Sequence, residues 1–225
     1  METVKNDISR GNPLICQRAY AAEMRAETGA ENDEHRIIGY ASVFDSEADI
    51  YGMFKEKIAR GAFDGCKFHD VIFCINHVTN KIPLARSRNN NANSTMQLSV
   101  DERGLHVNAL VDTQNNSEAE ALYSATQRGD MGGMSFIFEI ADYKWEGLDT
   151  DMPTKIITRI AEVFEVTAAT FPFYKATTLD ARAQRSLESE QAALESAKKE
   201  ARAALESAKA ARDKELYKLR AEIGI

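Results

Sequence analysis

Between residues 36 and 170 the apolar positions fall in short runs separated by turn signals, which is the pattern of strands rather than of long helices. Arg36–Phe44 (RIIGYASVF), Val71–Asn76 (VIFCIN), Met96–Val100 and Leu105–Val111 are predicted strands. The DERG between the last two predicts a hairpin, with Leu105, Val107, Ala109 and Val111 on one face. Phe54–Phe63 fits a short helix or a strand ending at Gly61. Ser117–Arg128 predicts a helix capped by Ser117, with Gly129 just past its end. Ser135–Tyr143 predicts a strand, and Ile156–Thr170 one or two more, stopped by Pro172. Residues 1–35 are polar and weakly patterned, the mark of an arm or of a first strand preceded by disorder.

The rhythm changes near residue 180. Residues 181–225 hold no proline, one glycine and twelve alanines, and strong helix formers fill the rest. The tail repeats itself: AALESAKKEAR from Ala192 is followed by AALESAKAAR from Ala203, an offset of 11 residues. That period is close to an unstrained helix and supercoils weakly to the right. Leu187, Leu194, Leu205, Leu216 and Leu219 make a stripe too narrow to bury much alone, so the helix either pairs with another surface or stands in solvent. The expected organisation is an arm over 1–35, a β-rich α+β domain over 36–180 and a long C-terminal helical extension over 181–225. A chain ending near Ala181 is expected to fold without the tail.

Composition narrows the function classes. The chain has 225 residues and a net charge of −7, so it offers no broad attraction to nucleic acid. The tail carries +2 of that total and the first 180 residues −9. No apolar run approaches a membrane span, and the start METVKNDISRGNPLIC lacks the basic and apolar regions of a secretion signal. Three cysteines, Cys16, Cys66 and Cys74, are too few and too odd for a disulfide framework.

Gly129-Asp-Met-Gly-Gly-Met-Ser135 stands out chemically. Two glycines precede a serine that opens a strand, a setting that exposes a nucleophile and frees backbone N–H groups, although taken alone it is more often a plain turn. A serine needs a base. Of His35, His69, His77 and His106, His77 closes the VIFCIN strand beside a loop, where a rigid scaffold best presents a side chain. A base needs an orienting group, and the strand around Arg159–Thr167 offers Glu162 and Glu165; three apart, they face opposite sides of a regular strand. Cys66, His69, Cys74 and His77 form a competing zinc-like set, but Asp70–Phe73 between the pairs reads as a buried strand, on which 74 and 77 point opposite ways.

Taken in order, Gly39–Asp45, Glu56–Asp64, Asn76-His77, Pro83–Arg86, Glu102–Leu105, Gly129–Phe138, Glu162–Thr167 and Phe171-Pro172 resemble the prohead protease family of tailed phages, whose fold is related to herpesvirus assemblin. The resemblance implies a small antiparallel barrel-like sheet wrapped by helices. It also implies a serine endopeptidase with Ser135 as nucleophile, His77 as base and Glu165 as third member, Glu162 being the fallback. Ala85 stands where the family has glycine, and Phe173-Tyr-Lys where a small residue is usual. The implied role is to cut scaffold or capsid-protein segments, and the protease itself, inside the procapsid; the implied location is host cytoplasm, then the procapsid interior. It needs no cofactor, metal, nucleic acid or membrane; homo-oligomers fit it as well. A non-enzymatic scaffold protein acting through its helical tail is the alternative.

Overall fold

The computed structural model describes residues 4–7, 14–20, 23–29, 34–170 and 181–223. The Phe171-Pro172 motif and the Phe173-Tyr-Lys departure lie outside the described residues. The backbone of the fold is one long antiparallel ribbon, β11 (Gly133–Glu146) and β12 (Thr154–Ala169). Four register shifts along it, the first between Ile137 and Phe138, put bulges into the ribbon and bend it. On its outer edge β11 pairs with β1 (Val4–Asp7) and β2 (Leu14–Arg18). On its own outer edge β12 pairs in parallel with β6 (Phe54–Ile58) at one end and β7 (Asp70–Ile75) at the other. The short strands β5 (Ala48–Ile50) and β8 (Ala85–Arg88) extend these to eight strands.

A second sheet runs β3 (Met24–Thr28), β4 (His35–Val43), β10 (Gly104–Val111), β9 (Met96–Val100). Leu105, Val107, Ala109 and Val111 are all buried, as their alternation predicts. The two sheets meet at Gly39: a Cβ there would stand 2.4 Å from the Glu23 carbonyl oxygen and 3.2 Å from Cε of Met134, so only glycine lets β4 close on the start of β11. Phe54–Ile58 is a strand, and its buried-partly buried alternation shows why the helical reading fails. Helix α1 (Ser117–Arg128) ends on Gly129 in the left-handed conformation, as expected, but its cap is Asn116 rather than Ser117. The Asn116 Oδ1 accepts from the N–H groups of Glu118 and Ala119, which moves the helix start one residue earlier than the serine suggests.

The α+β, β-rich class therefore holds, but the sheets do not close into a barrel among the described residues. Residues 14–18 and 24–28, within the stretch read as an arm or a first strand, are strands of the two sheets. The tail is a single helix, α2 (Ala181–Ile223), and Leu187, Leu194 and Ala197 on it pack with the core of the body. Leu194 is 3% exposed and Ala197 and Glu190 are buried, whereas Leu205, the equivalent leucine of the second repeat, is 56% exposed. One copy of the repeat docks and the other projects.

Docking is anchored by charge. Arg18 Nε donates to Glu56 Oε1 (2.7 Å), and Arg18 Nη2 donates to both carboxylate oxygens of Glu190 (2.7 and 2.5 Å). Lys155 Nζ lies 3.3 Å from Glu56 Oε2 and 3.5 Å from Glu190 Oε2. Two buried cations thus face two buried anions, a balance that offsets the large cost of desolvating each. A chain ending near Ala181 loses Glu190 and leaves Arg18 and Lys155 with Glu56 alone. Its body is expected to be less stable by about 3–5 kcal/mol, the range for breaking a buried pair.

Acid tests the same anchor. Burial raises the Glu190 carboxyl, but Arg18 and then Lys155 override it and bring it from 4.5 down to about 2. A carboxyl depressed in the folded state contributes stability that is complete above its unfolded value and is lost as pH falls through its folded value. Trp145, the single tryptophan, packs edge-on at 5.1 Å against Phe54, whose ring also faces Lys155. Unfolding followed by Trp145 fluorescence should show stability falling from about pH 4.5 towards 2, with a shallower slope in Glu190→Gln.

Candidate active site

Strand register assembles the candidate residues. Ser135 of β11 lies opposite Thr167 of β12, and Thr167 lies beside Cys74 of β7. Paired residues on adjacent strands share a face, so Ser135, Thr167 and Cys74 form one row across three strands, with Glu165 two residues further along β12 on the same face. β7 stops at Ile75, and Asn76 and His77 both adopt left-handed backbone conformations (φ 49° and 60°). Asparagine and histidine tolerate this better than most residues, at a cost on the order of 1 kcal/mol or more each. The turn carries His77 back over the row.

Neighbouring hydrogen bonds hold that strained turn. The His77 N–H donates to Thr167 Oγ1 (3.0 Å), which itself donates to the Cys74 carbonyl (3.1 Å). The Asn76 side chain and Thr170 bond reciprocally: Asn76 Nδ2 to Thr170 Oγ1 at 3.0 Å, and Thr170 N–H to Asn76 Oδ1 at 3.0 Å. His77 Nδ1 then lies 2.7 Å from Glu165 Oε2 and His77 Nε2 lies 2.7 Å from Ser135 Oγ. A carboxylate only accepts, so Nδ1 carries the proton in this arrangement and Nε2 is left to accept from the serine. Glu165 is 2% exposed, and its other oxygen accepts from the Cys74 S–H at 3.1 Å. Burial, with the Glu165 charge second, pushes the Cys74 thiol up to about 12, so it stays protonated as a donor.

The other sequence candidates fall elsewhere. Glu162 pairs with Nδ1 of His69 at 3.3 Å. The bulge that puts Ile137 opposite Glu165 but Phe138 opposite Val163 breaks the simple alternation on which the two glutamates were compared. His35 stacks on Tyr123 and bonds Thr113, and His106 meets the Tyr40 ring edge-on. The zinc-like set is parted: Cys74 and His77 converge on Glu165, because the strand ends before 77, while His69 faces Glu162 and Cys66 contacts the Lys67 carbonyl. Among the described residues no three His, Cys, Asp or Glu gather as metal ligands. Sequence reasoning missed Thr167 and the Arg18 carbonyl, which accepts from Ser135 Oγ at 2.8 Å. Thr167 is indistinguishable from an ordinary β-branched strand residue, and a backbone carbonyl has no signature.

A buried serine on a bent β-ribbon, bonded to an imidazole that is bonded to a buried carboxylate, has the geometry that activation of a serine nucleophile requires. The family model for the caudovirus prohead serine protease matches residues 21–192, and the chain belongs to that family. Among characterised proteins, the prohead protease of Enterobacteria phage HK97 is 34% identical over 142 residues, 60% of this chain and 54% of that protein. The matched region thus spans about half of that relative's length. No solved structure matches the chain.

Thr167→Val tests the support of the turn. It removes the acceptor of the His77 N–H while keeping shape, so stability should fall by about 1–3 kcal/mol, the cost of an orphaned buried donor. Amide hydrogen exchange at His77 should accelerate; an unchanged rate would mean that the other hydrogen bonds of the turn, among them the Asn76–Thr170 pair and Asn76 N–H to the Ala168 carbonyl, hold it without Thr167.

Proposed function

We propose that this protein is a serine endopeptidase of procapsid maturation, with Ser135 as nucleophile, His77 as general base and Glu165 as the group that orients and stabilises the imidazolium. The observation that carries the reading is the unbroken pair of 2.7 Å contacts from Glu165 Oε2 through the His77 ring to Ser135 Oγ. In the reaction His77 Nε2 takes the hydroxyl proton as Oγ attacks the scissile carbonyl carbon. The imidazolium then gives that proton to the departing amine, leaving an ester on Ser135. A water, deprotonated in the same way, cleaves the ester and restores the serine.

The proposed substrates are scaffold or capsid-protein segments in the procapsid interior, together with the chain itself. Membership of the prohead family supports the setting, and the projecting part of α2, with Leu205, Leu216 and Leu219 each about half exposed, supports a helical partner there. Among the described residues no helix is long and apolar enough to cross a membrane. The same exposed stripe supports the second reading, a scaffold protein whose body is structural.

Ser135→Ala and His77→Ala should each reduce cleavage of procapsid substrate by about four or more orders of magnitude, and the double variant should be no worse, because the groups act as a unit. Glu165→Gln should be strongly impaired and Glu162→Gln nearly unaffected. The assay is mass spectrometry of substrate and chain over time. Normal processing by folded Ser135→Ala protein would leave the scaffold reading standing.

A further inference from the structure

Ser135 is only 4% exposed, and its hydroxyl has two acceptors within reach: His77 Nε2 at 2.7 Å and the Arg18 carbonyl oxygen at 2.8 Å. A hydroxyl has one proton to donate. A proton aimed at the amide carbonyl is not available to the imidazole, and the carbonyl is too weak a base to remove it. Arg18 ends β2 opposite Phe136, the residue after Ser135, so the carbonyl's place is fixed by the strand edge beside the nucleophile. The side chain of the same residue is clamped at both ends of its guanidinium, by Glu56 of β6 and by Glu190 of α2. Glu190 in turn depends on the docking of α2 through Leu187, Leu194 and Ala197.

We propose that Arg18 and Glu190 are positioning residues that hold the nucleophile in check: while α2 is docked through Leu187, Leu194 and Ala197, Glu190 fixes Arg18, and the Arg18 carbonyl competes with His77 for the Ser135 hydroxyl proton and covers Oγ. Releasing α2 frees β2 to retreat, which uncovers Oγ and leaves His77 as its only strong acceptor. The inference rests on the assignment of Ser135 and His77 made above. It adds that the docked chain is a restrained form and that the helical tail, far from the chemistry in sequence, sets nucleophile reactivity. The exposed length of α2 beyond Ala197 is the handle by which a binding event would reach the site.

The test measures the second-order rate at which a fluorophosphonate labels Ser135 in the full chain, with Ser135→Ala as blank. Glu190→Gln should label about tenfold faster than wild type, the equivalent of one hydrogen bond of restraint. Because that variant leaves two buried cations with one anion, Arg18→Gln/Glu190→Gln is made beside it. The double variant keeps Lys155 and Glu56 as a balanced pair and is expected to fold, as near-UV circular dichroism will show. It should label faster than wild type by a similar factor, whereas mere structural damage would slow labelling. A folded double variant that labels at or below the wild-type rate overturns the restraint while leaving the active-site assignment intact. Absence of Ser135 labelling in every protein overturns that assignment and the restraint with it.

Discussion

The pairing of β12 with β11 on one edge and β7 on the other is the constraint from which the site follows. It places Ser135, Thr167 and Cys74 in one row across three strands. Thr167 does two jobs in that row. It ties the end of β7 to β12 through the Cys74 carbonyl, and it receives the N–H of His77. A slip of one residue between β11 and β12 would send Ser135 to the opposite face from Glu165. The bulges confine the ribbon's bend to its middle and far end, leaving the stretch from Gly133 to Ile137 in regular register where the serine needs it.

The second organising feature lies behind β11. A balanced quartet of ions, Arg18, Lys155, Glu56 and Glu190, is buried where β2, β6, β12 and α2 meet. Apolar side chains of similar volume would fill such a space at lower cost, so buried ions are weak evidence for stability alone. What they supply is a specific seat for one helix face, chosen by charge as well as by shape. That seat joins the N-terminal strand, the ribbon and the tail helix into one unit.

The sequence was legible where local pattern and tertiary role agree. The strands with clean alternation, the α1 region and its terminal glycine were visible, as were the serine after two glycines and the histidine closing an apolar run. It was not legible where tertiary contacts override local rules. β2 hides because it carries Arg18, a charge that is nonetheless largely buried, and this spoils the alternation of Cys16–Glu27. Glu190 looks like any solvated charge on a helix rich in Lys and Glu. The comparison of 74 with 77 presumed a continuing strand, and the left-handed turn at Asn76 removed that premise.

The claim at the centre of this account is that Ser135 becomes covalently bound to the substrate it cuts. The most direct test is to mix the full chain with procapsid substrate, quench in acid within the first turnover and locate the trapped ester by peptide mass mapping. The account predicts an ester on Ser135, absent in Ser135→Ala and strongly reduced in His77→Ala. Substrate cleavage by folded Ser135→Ala protein, or an ester carried by a different residue of the wild-type chain, would contradict it.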